Sequence, residues 1–144
     1  GRLKKILGDI EGIDVVGDRF VFSSEVLFDR GSADIGLEGK LQLDTISKVL
    51  KDISQKIPAD INWVLRVDGH TDKTPLSQSS IFKDNWELSQ ARSLSVVKYM
   101  INTHEINPKR LSAAGFGEHQ PISFSDSIDS LAKNRRIEFK LTER

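Results

Sequence analysis

Asp72 and Arg92 are the residues of this chain best placed, by type and by surroundings, to do recognition chemistry. Arginine presents a planar fork of donors that matches a carboxylate and stays charged at any working pH, while an ionised aspartate accepts from an ammonium. An arginine facing an aspartate therefore suits a target that carries both a carboxylate and an ammonium on one carbon. Asn85 and Ser89 share a helix stripe with Arg92, because Asn85 and Arg92 are about two helical turns apart. With backbone amides near the helix start they would complete an anion cradle. Two such residues also form a plain surface ion pair, worth about 0–1 kcal/mol, and the pair alone does not separate the two readings.

The elements that would position this pair follow from periodicity. Trp63, Leu65 and Val67 alternate with Asn62, Val64 and Arg66, which predicts a strand over 62–68 with one buried face. That strand delivers Asp72 just past its end through Gly69-His70-Thr71. A helix is predicted over 85–103, with Asp84 as N-cap and Glu87 at capping-box spacing. Within it Leu94, Val97 and Ile101 form the expected buried stripe, pointing away from Asn85 and Arg92 and leaving them free of core duty. Trp63 and Trp86 are expected in the core, His70 as a hydrogen-bonding turn residue, and Asn134 as a helix terminus or turn brace. Gly115 and Gly117 are expected as turn glycines with positive φ.

Elsewhere, Arg19-Phe20-Val21-Phe22 reads as a first strand, 27–34 as a loop, and Leu37 to Ile57 as a long amphipathic helix ended by Pro58. Strands over 110–116 and 137–142 follow. The predicted fold class is α/β (α+β), a two-layer sandwich with a mixed parallel/antiparallel sheet and helices on one face. Leu3, Ile6, Leu7, Ile10 and Ile13 recur at helical spacing, so residues 1–18 are expected as a helical linker segment and 19–144 as the domain. The segment reads either as a helix packed on the domain or as the tail of a longer one leading to a membrane anchor.

With 144 residues the chain fits one domain, and 21 charges of each sign give no bias toward polyanions, so nucleic acid is not an expected partner. Absence of cysteine excludes disulfides and thiol catalysis. No run approaches the roughly 20 apolar residues of a spanning helix. A start at Gly1 rather than methionine suggests a piece of something longer. No Gly-x-Ser-x-Gly elbow is present, and His70, His104 and His119 lack the short helical spacing of zinc sites, so neither enzyme activity, a metal nor a cofactor is expected.

Three motifs in order carry a resemblance: Gly69-His70-Thr71-Asp72 at a strand end, then Asn85, Leu88, Ser89 and Arg92, then Asn134-Arg135-Arg136. Leu27-Phe28-Asp29 and Gly115-Phe116-Gly117-Glu118 stand in the matching places. From about Phe20 to Leu141 the chain resembles the OmpA-like peptidoglycan-binding domain family, and within it looks most like flagellar stator B subunits (MotB). Two departures are Ser93, where the family often has alanine, and a long loop over 73–84.

The resemblance implies an OmpA-like βαβαβ-type fold and a non-catalytic wall anchor. Its implied partner is the diaminopimelate of an uncrosslinked peptidoglycan stem peptide, with Asp72 on the ammonium and Arg92 on the carboxylate. Asn85, Leu88, Ser89 and Thr71 would belong to the site. Phe28 and Asp29 would line it, and Arg135 would contact the ligand or fix Asp72. The implied setting is the periplasm, as part of an inner-membrane-anchored protein of a Gram-negative bacterium, with a homodimer compatible. A fixed tether and a motor-type anchor both fit. The alternative is a protein interaction or dimerisation domain of an envelope complex without wall binding.

Overall fold

Alternation of apolar residues builds the sheet. The computed structural model describes residues 13–16 and 19–143. Its strands are β1 (Ile13–Val16), β2 (Arg19–Ser23), β3 (Trp63–His70), β4 (Leu111–Gly115) and β5 (Arg136–Glu143), in the spatial order β1-β2-β5-β3-β4. Neighbours are antiparallel except β3 and β4, which run parallel. A parallel pair needs a crossover, and the helix α3 (Asn85–His104) supplies it. The remaining helices are α1 (Ser24–Leu27), α2 (Leu37–Ser54) and α4 (Ile128–Asn134). The result is the expected mixed sheet covered by helices.

One face of the sheet presents Phe20, Phe22, Leu65, Val67, Ile137 and Phe139 to Leu43, Ile46 and Leu50 of α2 and to Val96, Val97 and Met100 of α3. Phe22 and Phe139 meet edge to face with centroids 5.2 Å apart. Register then forces the intervening residues to the opposite face, where Asp68 lies opposite Glu138 and His70 opposite Arg136. These four are buried, and buried charge needs partners. Arg66 Nε donates to both Asp68 oxygens at 2.8 and 3.0 Å, and Glu138 accepts from Arg19 at 3.0 Å and Arg136 at 2.5 Å. Burial pushes the Asp68 carboxyl up against the pull of Arg66. For Glu138 burial acts the same way, but the Arg136 hydrogen bond and charge outweigh it and hold the carboxyl below its ordinary value.

Several expectations need correction. Residues 13–16, placed in a helical linker, form strand β1; the helical reading of residues 1–12 lies outside the described residues. The buried stripe of α3 is Leu88, Ser89, Arg92, Ser93, Val96, Val97 and Met100, whereas Leu94 is exposed and Ile101 only partly buried. Arg92 and Asn85 are therefore on the packed face. Trp63 is in the core, but Trp86 is 52% exposed and stacks on His119 at 4.8 Å. His70 is not a turn residue with hydrogen bonds: it ends β3, neither ring nitrogen has a hydrogen-bond partner, Nε2 lies 3.8 Å from a Glu138 carboxylate oxygen, and the ring stacks flat on Phe116 at 5.0 Å. Gly117 has positive φ, but Gly115 does not; it lies in β4, where a Cβ would come within 2.6 Å of the Gln90 backbone nitrogen. None of the helices among the described residues is long and apolar enough to cross a membrane.

Candidate functional site

Three segments meet at Asp72, and a fourth, the loop after α1, meets Arg92. The end of β3 carries Thr71 and Asp72 forward, and α3 begins beside them because Asp84 caps it: the Asp84 carboxylate accepts from the Glu87 N–H at 2.9 Å. Glu87 answers by accepting from the Lys83 N–H, one residue earlier than a capping box predicts. The loop after α1 is pinned by a bridge between Phe28 and Ile35. Arg135 follows α4 directly and joins it to β5.

Asp72 is 7% exposed and both of its carboxylate oxygens are engaged. Oδ1 accepts from the Thr74 N–H at 2.9 Å, and Oδ2 accepts from Arg135 Nη1 at 2.5 Å. Arg135 also donates through Nε and Nη2 to Glu25 Oε1 at 3.0 and 2.5 Å, so it bridges two acids. These partners raise the Arg135 pKa despite the opposing effect of burial.

Arg92 is held differently. Its Nε donates to the Ser32 carbonyl at 2.8 Å and its Nη2 to the Asp29 carbonyl at 3.3 Å, and the guanidinium lies 5.1 Å from the Phe28 ring centroid. Among the described residues it has no carboxylate partner. Burial, and then the Arg135 charge, lower its pKa to about 10, which leaves it charged at neutral pH. A buried cation satisfied only by carbonyls and a ring still attracts an anion strongly.

The other predicted residues mostly brace. Asn85 Nδ2 donates to the carbonyls of Asp72 (3.3 Å) and Thr74 (3.1 Å) and to Glu118 Oε1 (3.4 Å), so it fixes the Asp72 turn. Ser89 donates to the Trp86 carbonyl and accepts from the Gly117 N–H, both at 3.0 Å. Thr71 donates its N–H to the Gly117 carbonyl and its hydroxyl to the Asp72 carbonyl. Leu88 is buried, and Asp29 offers its carbonyl while its residue is exposed. Asn134 is the expected brace: Oδ1 accepts from the N–H of Ile122 and Ser123, and Nδ2 donates to the Ser123 carbonyl.

Glu25 was not anticipated. No spacing rule reaches it, because it meets Arg135 only through the pairing of β2 with β5, which sets Ser23 opposite Arg136. The long 73–84 loop is tied down through Lys73 to Asp126. Helix α4, with Ser127 as its N-cap, was not anticipated as an element, although Asn134 ends it as the helix-terminus reading expects; its apolar signal is weak, since Ile128 is exposed. Asp68, His70 and Glu138 are the one group among the described residues that could hold a metal ion, but Arg66, Arg19 and Arg136 already neutralise the two carboxylates, so a dication there would face three guanidiniums.

Comparison with known proteins identifies the fold and the family. Motility protein B of Helicobacter pylori is 33% identical over 130 residues, covering 90% of this chain and 47% of that protein. A MotB-like protein of Desulfovibrio vulgaris superposes with a TM-score of 0.83 at 31% identity, covering 99% of this chain and 86% of that one. The cell wall anchor of the T6SS from Pseudomonas aeruginosa superposes at 0.77 with 25% identity, covering 99% and 94%. The chain spans about half the length of the curated relatives it matches first. Domains of this kind are structural modules, and the chain is not an enzyme. The OmpA family profile matches residues 27–135, and the chain belongs to that family.

Proposed function

We propose that this domain binds peptidoglycan without turning it over, through the diaminopimelate of uncrosslinked stem peptides, and so anchors a larger envelope or motor-type protein to the wall. Asp72 takes the ammonium and Arg92 the carboxylate of the free amino-acid end. The observation that carries this reading is Arg92, a buried guanidinium without a carboxylate partner among the described residues, close enough to Arg135 to feel its charge and thus beside the Asp72 pair. A ligand carboxylate would supply the missing anion in a bidentate pair, while Phe28 flanks the guanidinium. Asn85, Ser89, Leu88 and Thr71 hold the walls, Asp29 lends a carbonyl, and Arg135 orients Asp72.

The relatives named for motility and for a cell wall anchor support an envelope setting, with the domain in the periplasm and its parent anchored in the inner membrane. An interaction or dimerisation domain is the second reading. Its support is the group Ile122, Phe124 and Ile128, exposed in and beside the loop that carries Asp126. Calorimetric titration with a diaminopimelate-containing stem peptide, against a lysine-containing control, separates the two. Saturable binding only to the former is expected. Absence of binding to either by the folded domain overturns the reading.

A further inference from the structure

The geometry points to Glu25 as the residue that makes this site select an ammonium: by neutralising Arg135 it leaves the negative charge of Asp72 for the ligand. The inference rests on the zwitterion-binding reading above and names a specificity residue for that same site.

Charge accounting carries the argument. Asp72 and Arg135 alone would form a closed, neutral pair, with Arg135 Nη1 on Asp72 Oδ2 at 2.5 Å. An ammonium arriving there would meet a carboxylate already matched by a cation and gain little. Glu25 changes the sum. Its Oε1 takes Nε and Nη2 of the same guanidinium, so Arg135 faces two acids and the group of three has a net charge of one negative. Arg92 supplies one positive charge with no carboxylate partner among the described residues. One unmatched anion beside one unmatched cation is the complement of an α-amino acid end.

The neighbouring charges do not neutralise Arg135. Lys73 and Asp126 pair with each other, and Glu118 meets the Asn85 amide rather than either arginine, so it adds negative charge on the Asn85 side but leaves the Arg135 charge to Glu25. Glu25 is held in place by the fold: it is the second residue of α1, its N–H donates to the Ser23 hydroxyl, and the next-door Ser24 N–H donates to the Arg135 carbonyl at 3.0 Å. Backbone pairing thus sets Glu25 beside Arg135 even though the Glu25 side chain is 60% exposed.

The test is calorimetry of the whole domain with meso-diaminopimelate and with pimelate, which has the same two carboxylates and no ammonium. The parent, Glu25→Gln, Arg135→Gln and the double variant are compared, with melting temperatures to verify folding. The parent is expected to prefer diaminopimelate. Glu25→Gln should weaken diaminopimelate about tenfold while leaving pimelate unchanged or tighter, as a lost local charge predicts. In the Arg135→Gln background the same change should have a smaller effect, since Asp72 is then unmatched without help and the exposed Glu25 side chain has lost the guanidinium that holds it at the site. A folded Glu25→Gln domain with the parent's preference overturns the inference, as does an equal loss in both backgrounds. If the parent binds diaminopimelate no better than pimelate, the zwitterion reading fails and this inference with it.

Discussion

Gly69 and Ser89 are packed backbone against backbone: a Cβ on Gly69 would lie 2.3 Å from the Ser89 carbonyl oxygen and 2.7 Å from the Ser93 hydroxyl oxygen. Gly69 belongs to the strand that delivers Asp72, and Ser89 to the helix that carries Arg92. Their contact therefore sets the spacing between the two halves of the proposed site. Gly115 approaches α3 in the same way from β4, so two glycines and two serines replace the large side chains that usually separate a helix from a sheet.

Gly69→Ala should push α3 away from β3. The clash is with backbone, which cannot swing aside, so a loss of about 1–3 kcal/mol is expected, as for other overpacked interiors. The urea midpoint should fall with the slope unchanged. Ligand affinity should fall as well, because Asp72 and Arg92 move apart. A variant with the parent's midpoint would show that the helix yields freely at this contact.

That contact also explains what was legible in the sequence. Period-two alternation at Trp63, Leu65 and Val67, and again at Ile137, Phe139 and Leu141, identified sheet strands because one face of each is apolar. Asp84 announced the start of α3 for a local reason, its own hydrogen bond to the Glu87 N–H. The face of α3 was misread because the helix packs through Ser89 and Ser93, which carry no hydrophobic signal, while Leu94 is exposed and Ile101 only partly buried. Only the glycines on the facing strands make serines the right size there, and their position across the interface depends on register. Glu25 lies 110 residues from Arg135 and no local pattern connects them.

Asn134→Ala removes an acceptor for two backbone N–H groups and a donor to one carbonyl, all in the 122–123 segment. Unmade hydrogen bonds at a buried side chain cost about 1–3 kcal/mol. Asn134→Asp keeps the acceptor and loses the donor, so its melting temperature should fall between those of the parent and the alanine variant. Amide exchange should quicken at Ile122 and Ser123 in the alanine variant. Equal melting temperatures for all three proteins would remove Asn134 from the structural account.

His70 predicts an acid-sensitive fold. Burial, followed by the Arg136 charge, lowers its pKa from 6.5 to about 4, against the smaller opposing pull of Glu138. The unfolded chain then takes up a proton before the folded domain does, so stability is fully present above about pH 6.5 and declines as pH falls toward 4. Down to pH 4.5, the ordinary value of Glu138, that depressed carboxylate adds nothing, while Asp68, raised by burial, takes up its proton in the folded domain first and opposes the loss; the His70 share is on the order of 2 kcal/mol. His70→Phe retains a ring against Phe116 and cannot titrate. Its denaturation midpoint should be flatter between pH 6.5 and 4.5 than the parent's, and parallel curves would assign the acid sensitivity elsewhere.

Arg92→Lys tests whether the guanidinium acts as a fork or only as a charge. Lysine keeps the positive charge but cannot donate to the Ser32 and Asp29 carbonyls while presenting two parallel N–H groups to a ligand carboxylate. It also loses the planar face against Phe28. Because Arg92 lies on the packed face of α3 at 6% exposure, the substitution should lower stability by about 1 kcal/mol, a cost set by the lost hydrogen bonds. Affinity for the diaminopimelate stem peptide should fall at least about tenfold, the scale of one charge-assisted hydrogen bond. Calorimetry on the folded variant measures the second effect and urea unfolding the first. If affinity survives while stability falls, Arg92 serves to hold the 28–35 loop, and the carboxylate must be recognised by another group.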